Sequence, residues 1–165
     1  MTELSFPLDG YRLRSAGDED RPYFIECMRE SILLSVTEKE KEHSDLWMED
    51  ILSVTTIALE GNMMRSELFV LEDADGMRRG LLWMGVSRDQ FTCEEMGYLL
   101  EVFVDEGSRG KGIGKALVGC AEDWCRRNGL LSLTLNVGSP NVLAADIYGR
   151  LGYEPRSAVM KKRLR

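Results

Sequence analysis

Three glycines and three cations crowd into seven residues of this chain, Arg109-Gly110-Lys111-Gly112-Ile113-Gly114-Lys115. They stand between a strongly apolar run, 98–104, and a stretch whose apolar residues Ile113, Leu117, Cys120 and Trp124 recur at helical spacing. A strand that empties through such a loop into a helix N-terminus builds an anion site. The first backbone N–H groups of a helix lack an intrahelical acceptor, and the macrodipole adds positive potential where they point. Glycine has no Cβ, so the backbone can approach a phosphate closely. A tight turn needs fewer glycines than this. A phosphorylated ligand is therefore expected on the amides of Gly110, Gly112 and Gly114, with Arg109 and Lys111 beside them.

Two further residues carry chemistry by their type and setting. Glu101 is the single charged residue of 97–104. A lone carboxylate in a strand expected at the centre of a sheet is costly unless it faces a cleft or has a partner. Burial would raise its pKa and suit it to act as a general base; the alternative is an acid that orients water or pairs with an arginine. Tyr148 sits on an apolar stripe with Ala144 and Leu151, where a core role competes with a catalytic one. Cys27, Cys93, Cys120 and Cys125 form no CxxC pair, and His43 is the lone histidine. No metal site is expected, and Cys120 reads as a packing residue rather than a nucleophile.

Charge narrows the partners. The chain has 165 residues and a net charge of −7, which argues against a general nucleic-acid binder. Between Arg109 and Arg127, however, five cations face two acids. An acidic protein with one cationic loop fits an anionic co-substrate and a cationic second substrate. No apolar run approaches the roughly 20 residues that span a bilayer, and the first residues lack a signal-peptide pattern. No membrane association and a cytoplasmic location are expected.

The elements that must position these residues follow from periodicity. The spacing predicts a short strand over 11–14 and a helix from Asp18 or Asp20 to about Leu34, with Phe24, Cys27, Met28 and Ile32 inward. A charged, solvated connection, 37–43, leads to a second helix from Ser44 or Asp45, with Trp47, Ile51, Val54 and Leu59 as its apolar face. Strands at 67–71, 80–86 and 98–104 are joined too closely for anything but an antiparallel meander. After the glycine loop come a helix stopped by Asn128-Gly129, a strand over 131–137 parallel to 98–104, and a last helix opened by Ser139 and Pro140 and stopped by Gly152. Residues 158–160 are expected to close the sheet. The chain, 1–165, reads as a single α/β domain with a mixed sheet.

Two common glycine-loop templates fail. A Walker A loop would need Lys where Ile113 stands, and a dinucleotide fingerprint would need its third glycine at Lys115 and an acid about 20 residues on, yet 130–145 contains no Asp or Glu. Arg109-Gly110-Lys111-Gly112-Ile113-Gly114 instead resembles the Arg/Gln-x-x-Gly-x-Gly/Ala acyl-CoA signature of the GNAT family of N-acetyltransferases. Phe103-Val104 stand where that family's fourth strand ends. Asn141, Ala144 and Tyr148, followed by Gly152-Tyr153, are similar to its second block. The resemblance covers 68–155; the first sixty residues share only its strand–helix–helix pattern.

The resemblance implies a mixed, mostly antiparallel sheet flanked by about four helices and splayed between the fourth and fifth strands. It implies acetyl-CoA as co-substrate. The pyrophosphate would rest on 110–114, pantetheine would lie along Phe103 and Val104, and Lys115 and Arg127 would reach the 3′-phosphate or else be ordinary exposed helix cations. Asn141 would contact the cofactor, or else serve only as a helix-entry residue. Transfer would run by direct attack of an amine in a ternary complex, with Glu101 or water as base, a backbone N–H near Val104 on the oxyanion and Tyr148 protonating the thiolate. Some members place their acid where this chain has Leu100. The expected acceptor is a small amine, with a protein N-terminus or lysine as the alternative, and a non-catalytic acyl-CoA-binding module as the rival of another class. A homodimer is left open.

Overall fold

Alternation of apolar residues along four consecutive strands gives the sheet two buried faces, and each face receives its own helices. The computed structural model describes residues 4–162 and 164, and the side chains of all of these outside 54–62. Strands β1 (Tyr11–Ser15), β2 (Arg65–Asp73), β3 (Arg78–Arg88), β4 (Glu95–Val104) and β5 (Leu133–Leu135) lie in the order β1-β2-β3-β4-β5. The first four are antiparallel neighbours, and β5 is parallel to β4. Five α-helices accompany them: α1 (Arg21–Ser35), the single turn α2 (Glu38–Lys41), α3 (Ser44–Asn62), α4 (Ile113–Arg127) and α5 (Val142–Arg150). The expected mixed, mostly antiparallel sheet is present. The helix beyond the expected four is α2, a turn capped by Thr37 and Glu40 inside the charged connection.

On one face Phe69, Leu71, Leu82, Met84 and Leu99 meet the α4 stripe of Ile113, Leu117, Cys120 and Trp124, all buried as the helical spacing predicts. On the other, Val70, Leu81, Trp83 and Phe103 meet Phe24, Cys27 and Met28 of α1 and Met48 and Leu52 of α3. Each such side chain contributes on the order of 1.5–3 kcal/mol through burial. The approach of α4 to β4 is close enough that a Cβ on Gly97 would overlap the Cys125 sulfur. None of the four cysteines is in a disulfide, and Cys93 alone is exposed.

Several expectations need correction. The inward face of α3 is Met48 and Leu52. Trp47 is half-buried and Ile51 is 38% exposed, because α3 turns that edge toward a groove rather than the sheet. Val54 and Leu59 lie outside the described side chains. The last helix begins at Val142: Ser139 and Pro140 form a turn in which Asn141 N–H bonds the Gly138 carbonyl (2.9 Å). Residues 158–160 form no strand, and Val159 and Met160 are almost fully exposed. Side-chain ion pairs hold the segment instead, Arg156 on Asp89 and Lys161 on Glu40 (2.7 Å).

Asp20 does not cap α1 with its side chain. Its carboxylate, 1% exposed, accepts from Arg14 (2.6 and 3.0 Å), Arg78 (2.8 Å) and the Gly17 N–H (2.9 Å). Arg14 also donates to Glu72 (2.6 Å), which Arg12 reaches at 2.7 Å. This network ties β1, β2 and β3 to the start of α1.

Two irregularities shape β4. It pairs with β5 only through Gly97–Leu133, Tyr98–Thr134 and Leu99–Leu135, so from Leu100 onward that edge has no strand partner among the described residues. This is the expected splay. Opposite β3, Trp83 pairs Glu101 and Met84 pairs Leu99, which leaves Leu100 as an extra, bulged residue. Strict alternation from Leu99 would turn Glu101 toward α4. The bulge sends Leu100 and Glu101 both toward α1 and α3, and Phe103 follows them there.

Candidate functional site

The glycine loop is built as its sequence demands. A 3₁₀ turn, Glu106–Ser108, ends β4, and Gly110 and Gly112 take left-handed conformations, φ 78° and 81°. Gly112 is the N-cap of α4. A branched residue there would be strained whatever the space around it. Among the described residues, no backbone acceptor meets the N–H groups of 110–115; the first satisfied one is Ala116, on the Gly112 carbonyl (3.0 Å). Six consecutive donors therefore stand at the positive end of a 15-residue helix.

The cations have distinct placements. Lys111 Nζ donates to the Gly107 carbonyl (3.3 Å), and Lys115 is exposed on the first turn of α4. Arg109 donates from Nε to the Val104 carbonyl (2.9 Å), reaches Glu30 of α1 at 3.5 Å and lies 5.8 Å from the Phe103 ring centroid. Arg127 closes the far end of α4, about 21 Å from Ile113 at 1.5 Å per residue, so the fold does not bring it to the loop.

Asp105 N–H bonds the Arg79 carbonyl on the β3 side (3.0 Å). Alternation of a strand's polar groups turns those of Val102 and Val104 to the open edge. Gly114 packs over this edge: a Cβ there would lie 3.9 Å from Val104 Cγ2. Loop donors and the open β4 edge thus adjoin, with Arg109 bracing the corner.

Glu101, carried to the α1 side by the bulge, accepts a hydrogen bond from Ser31 Oγ at 2.8 Å. Burial raises its carboxyl to about 7, against the opposing effect of Ser31 and the Val102 N–H. Tyr148, partly buried on α5, stacks edge-on against Tyr153 (5.7 Å). Burial and then the Glu101 charge push its phenol to about 12, so the two expected catalytic groups lie within electrostatic reach. Asn141 Oδ1 accepts from Ala144 N–H (3.2 Å), the helix-entry alternative made explicit.

Helix α1 aligns more of the site than its sequence announced. Tyr23 donates to Asp105 (2.8 Å), Glu30 faces Arg109 and Ser31 meets Glu101. At spacings of seven and eight from Tyr23, these side chains run down one face, with buried Cys27 between them. Burial pushes the Cys27 thiol up to about 12. Spacing alone cannot separate this stripe from an ordinary core face. Beyond Ser35, against which Gly138 packs, lies a groove of about 510 Å³ walled by Val36, Trp47, Ile51, Glu40 and Lys161. Among the described residues no cluster of three or more His, Cys, Asp or Glu could hold a metal, and no helix is long and apolar enough to cross a membrane.

Comparison with known proteins places this geometry. Residues 34–153 match the model of the acetyltransferase (GNAT) family. A mycothiol acetyltransferase of Saccharomonospora viridis is 26% identical over 150 residues, 88% of this chain and 46% of that protein. The chain spans 25–48% of the length of the curated relatives it matches. Among solved structures, a putative acetyl transferase from Pyrococcus furiosus superposes with a TM-score of 0.75 at 23% identity, covering 93% of this chain and 99% of the other. An aminoglycoside N-acetyltransferase in complex with CoA has the same fold, with a TM-score of 0.64 at 16% identity, covering 94% and 95%. With the family model matching most of its length, the chain belongs to the GNAT acetyltransferase family.

Proposed function

We propose that this protein transfers an acetyl group from acetyl-CoA to the primary amine of a small molecule, by direct attack in a ternary complex. The observation that carries the reading is one corner of the molecule. Six unpaired loop donors adjoin an open strand edge that also bears a partly buried carboxylate. The residues fit the co-substrate. The backbone donors of 110–115 and the exposed Lys111 and Lys115 suit a pyrophosphate, and nothing lies within 4 Å of a Cβ at Gly110 or Gly112. Of the edge groups, the Val102 carbonyl and the Val104 N–H suit an amide chain added like a strand, since the Val102 N–H is donated to Glu101 and the Val104 carbonyl accepts from Arg109.

In this reading Glu101, ionised above about pH 7, takes the proton of the acceptor ammonium directly or through water. The amine nitrogen bonds the acetyl carbon, a backbone N–H at the β4 edge holds the oxyanion, and the C–S bond breaks. Tyr148, held protonated by burial, gives its proton to the leaving thiolate. The groove past the end of α1 has the volume of a small-molecule site. Relatives named for mycothiol, streptothricin and aminoglycoside acetylation lean the same way.

Thiol release from acetyl-CoA, measured against separate pools of small amines, amino acids, polyamines and peptides, tests the class. Release with a small-amine pool is the expected result. Release with peptides alone would move the acceptor to proteins, and tight acetyl-CoA binding with no release in any pool would leave a binding module. With an accepted amine, Tyr148→Phe is expected to lower kcat by about 10²-fold, the low end for a proton-transfer group. An unchanged kcat across the pH range removes Tyr148 from the mechanism.

A further inference from the structure

We propose that Ser31 is the positioning residue of this site: its hydroxyl, donated to Oε1, holds the Glu101 carboxylate aimed and ionised for proton removal. The inference rests on the reading of Glu101 as the base. A serine inside a helix ordinarily satisfies its hydroxyl on the carbonyl one turn back or on solvent. Ser31, in the last third of α1, instead sends its O–H across to β4, 70 residues away in sequence, at 2.8 Å. The partner is equally specific. Only because Leu100 bulges does Glu101 reach the α1 side at all.

Among side chains, the surroundings leave the task of stabilising the charge to Ser31. From α1 the Cys27 thiol faces the carboxylate, and from α5 the Tyr148 phenol; both stay protonated and neutral through the working pH range. Across β3 stands Trp83. Among the described residues Glu101 forms no ion pair, so its favourable polar contacts are the Ser31 hydroxyl and the adjacent Val102 N–H. Tyr23 and Glu30, on the same face of α1, bind Asp105 and Arg109 at the glycine loop. The helix that aims the base is thereby fixed to the donor-binding end of the site.

The experiment is a ¹³C titration of the Glu101 side-chain carboxyl in the free protein, so that no acceptor need be known. Ser31→Ala is expected to raise its midpoint by about one pH unit, since a lost hydrogen bond to a charged group favours the protonated form. Ser31→Thr, which keeps the hydroxyl, is expected to restore it. With acetyl-CoA and the amine giving fastest thiol release, the acid limb of kcat/KM is expected to move by the same amount. A midpoint that stays put in Ser31→Ala, or that Ser31→Thr fails to restore, overturns the proposal. A role limited to packing would lower the thermal midpoint without moving either titration. Failure of the underlying reading looks different: Glu101→Gln would then retain both thiol release and the acid limb.

Discussion

Glu101→Gln is expected to lower kcat/KM for thiol release by about 10²-fold at pH 8 and to abolish the rise in activity through pH 7. Glutamine keeps the size of the side chain and an oxygen for the Ser31 hydroxyl, so the 2.8 Å contact survives while the basic group is lost. The sign of the pH effect follows from the direction of the shift. Burial raises the carboxyl from an ordinary 4.5 to about 7, and in the proposed mechanism the ionised form is the active one, so activity is expected to climb as pH rises through 7. Stability runs the other way. A carboxyl that binds its proton more tightly when folded stabilises the fold below about pH 4.5, and that contribution is lost as pH rises toward 7. The glutamine variant carries no such loss. Above pH 7 it is expected to be more stable than the parent, by on the order of 1–3 kcal/mol, while being far less active. Thermal melts at pH 5 and pH 8 check this, and a variant less stable at pH 8 would contradict it.

Asp20→Asn is expected to cost about 3 kcal/mol of stability at neutral pH, the low end for breaking a buried ion pair because Arg14 and Arg78 keep some access to water. For a chain of this length the thermal midpoint should fall by roughly 6–12 °C. The neighbouring Arg14 guanidinium holds the Asp20 carboxyl well below the usual carboxylate range. The stabilisation is therefore present above the ordinary value of 3.8 and fades as pH falls below it. The gap between parent and variant melts should narrow as pH falls below 3.8, and a gap of the same size at pH 5 and pH 2 would show that packing rather than charge is lost.

How much of this was legible beforehand depends on the distance over which the signal acts. The loop from Arg109 to Lys115, the α4 stripe and the meander are local patterns, and glycine placement and periodicity carried them through to the structure. The splay was legible only through family resemblance. The Leu100 bulge leaves no composition signal, since Leu-Leu-Glu reads as ordinary strand. Ser31 was invisible because its partner is 70 residues away and serine is unremarkable on a helix. Trp47 and Ile51 read as part of one apolar face because a stripe says nothing about whether sheet or groove receives it. The expected strand at 158–160 failed for a related reason: apolar residues favour pairing, but the arginine and lysine around them found carboxylates at Asp89 and Glu40 first.

The single extra residue in β4 divides that strand into two segments with independent phase. Up to Leu99 the pleat is locked to β5; from Glu101 it is locked only to β3, with its other edge open. Removing one residue at Leu100 would re-phase the strand and exchange the two faces of one segment relative to the other. Changes of side chain on either segment leave the phase alone. The sheet's interior and the site's chemistry can thus drift separately in sequence, provided the count of residues between Leu99 and Glu101 is kept.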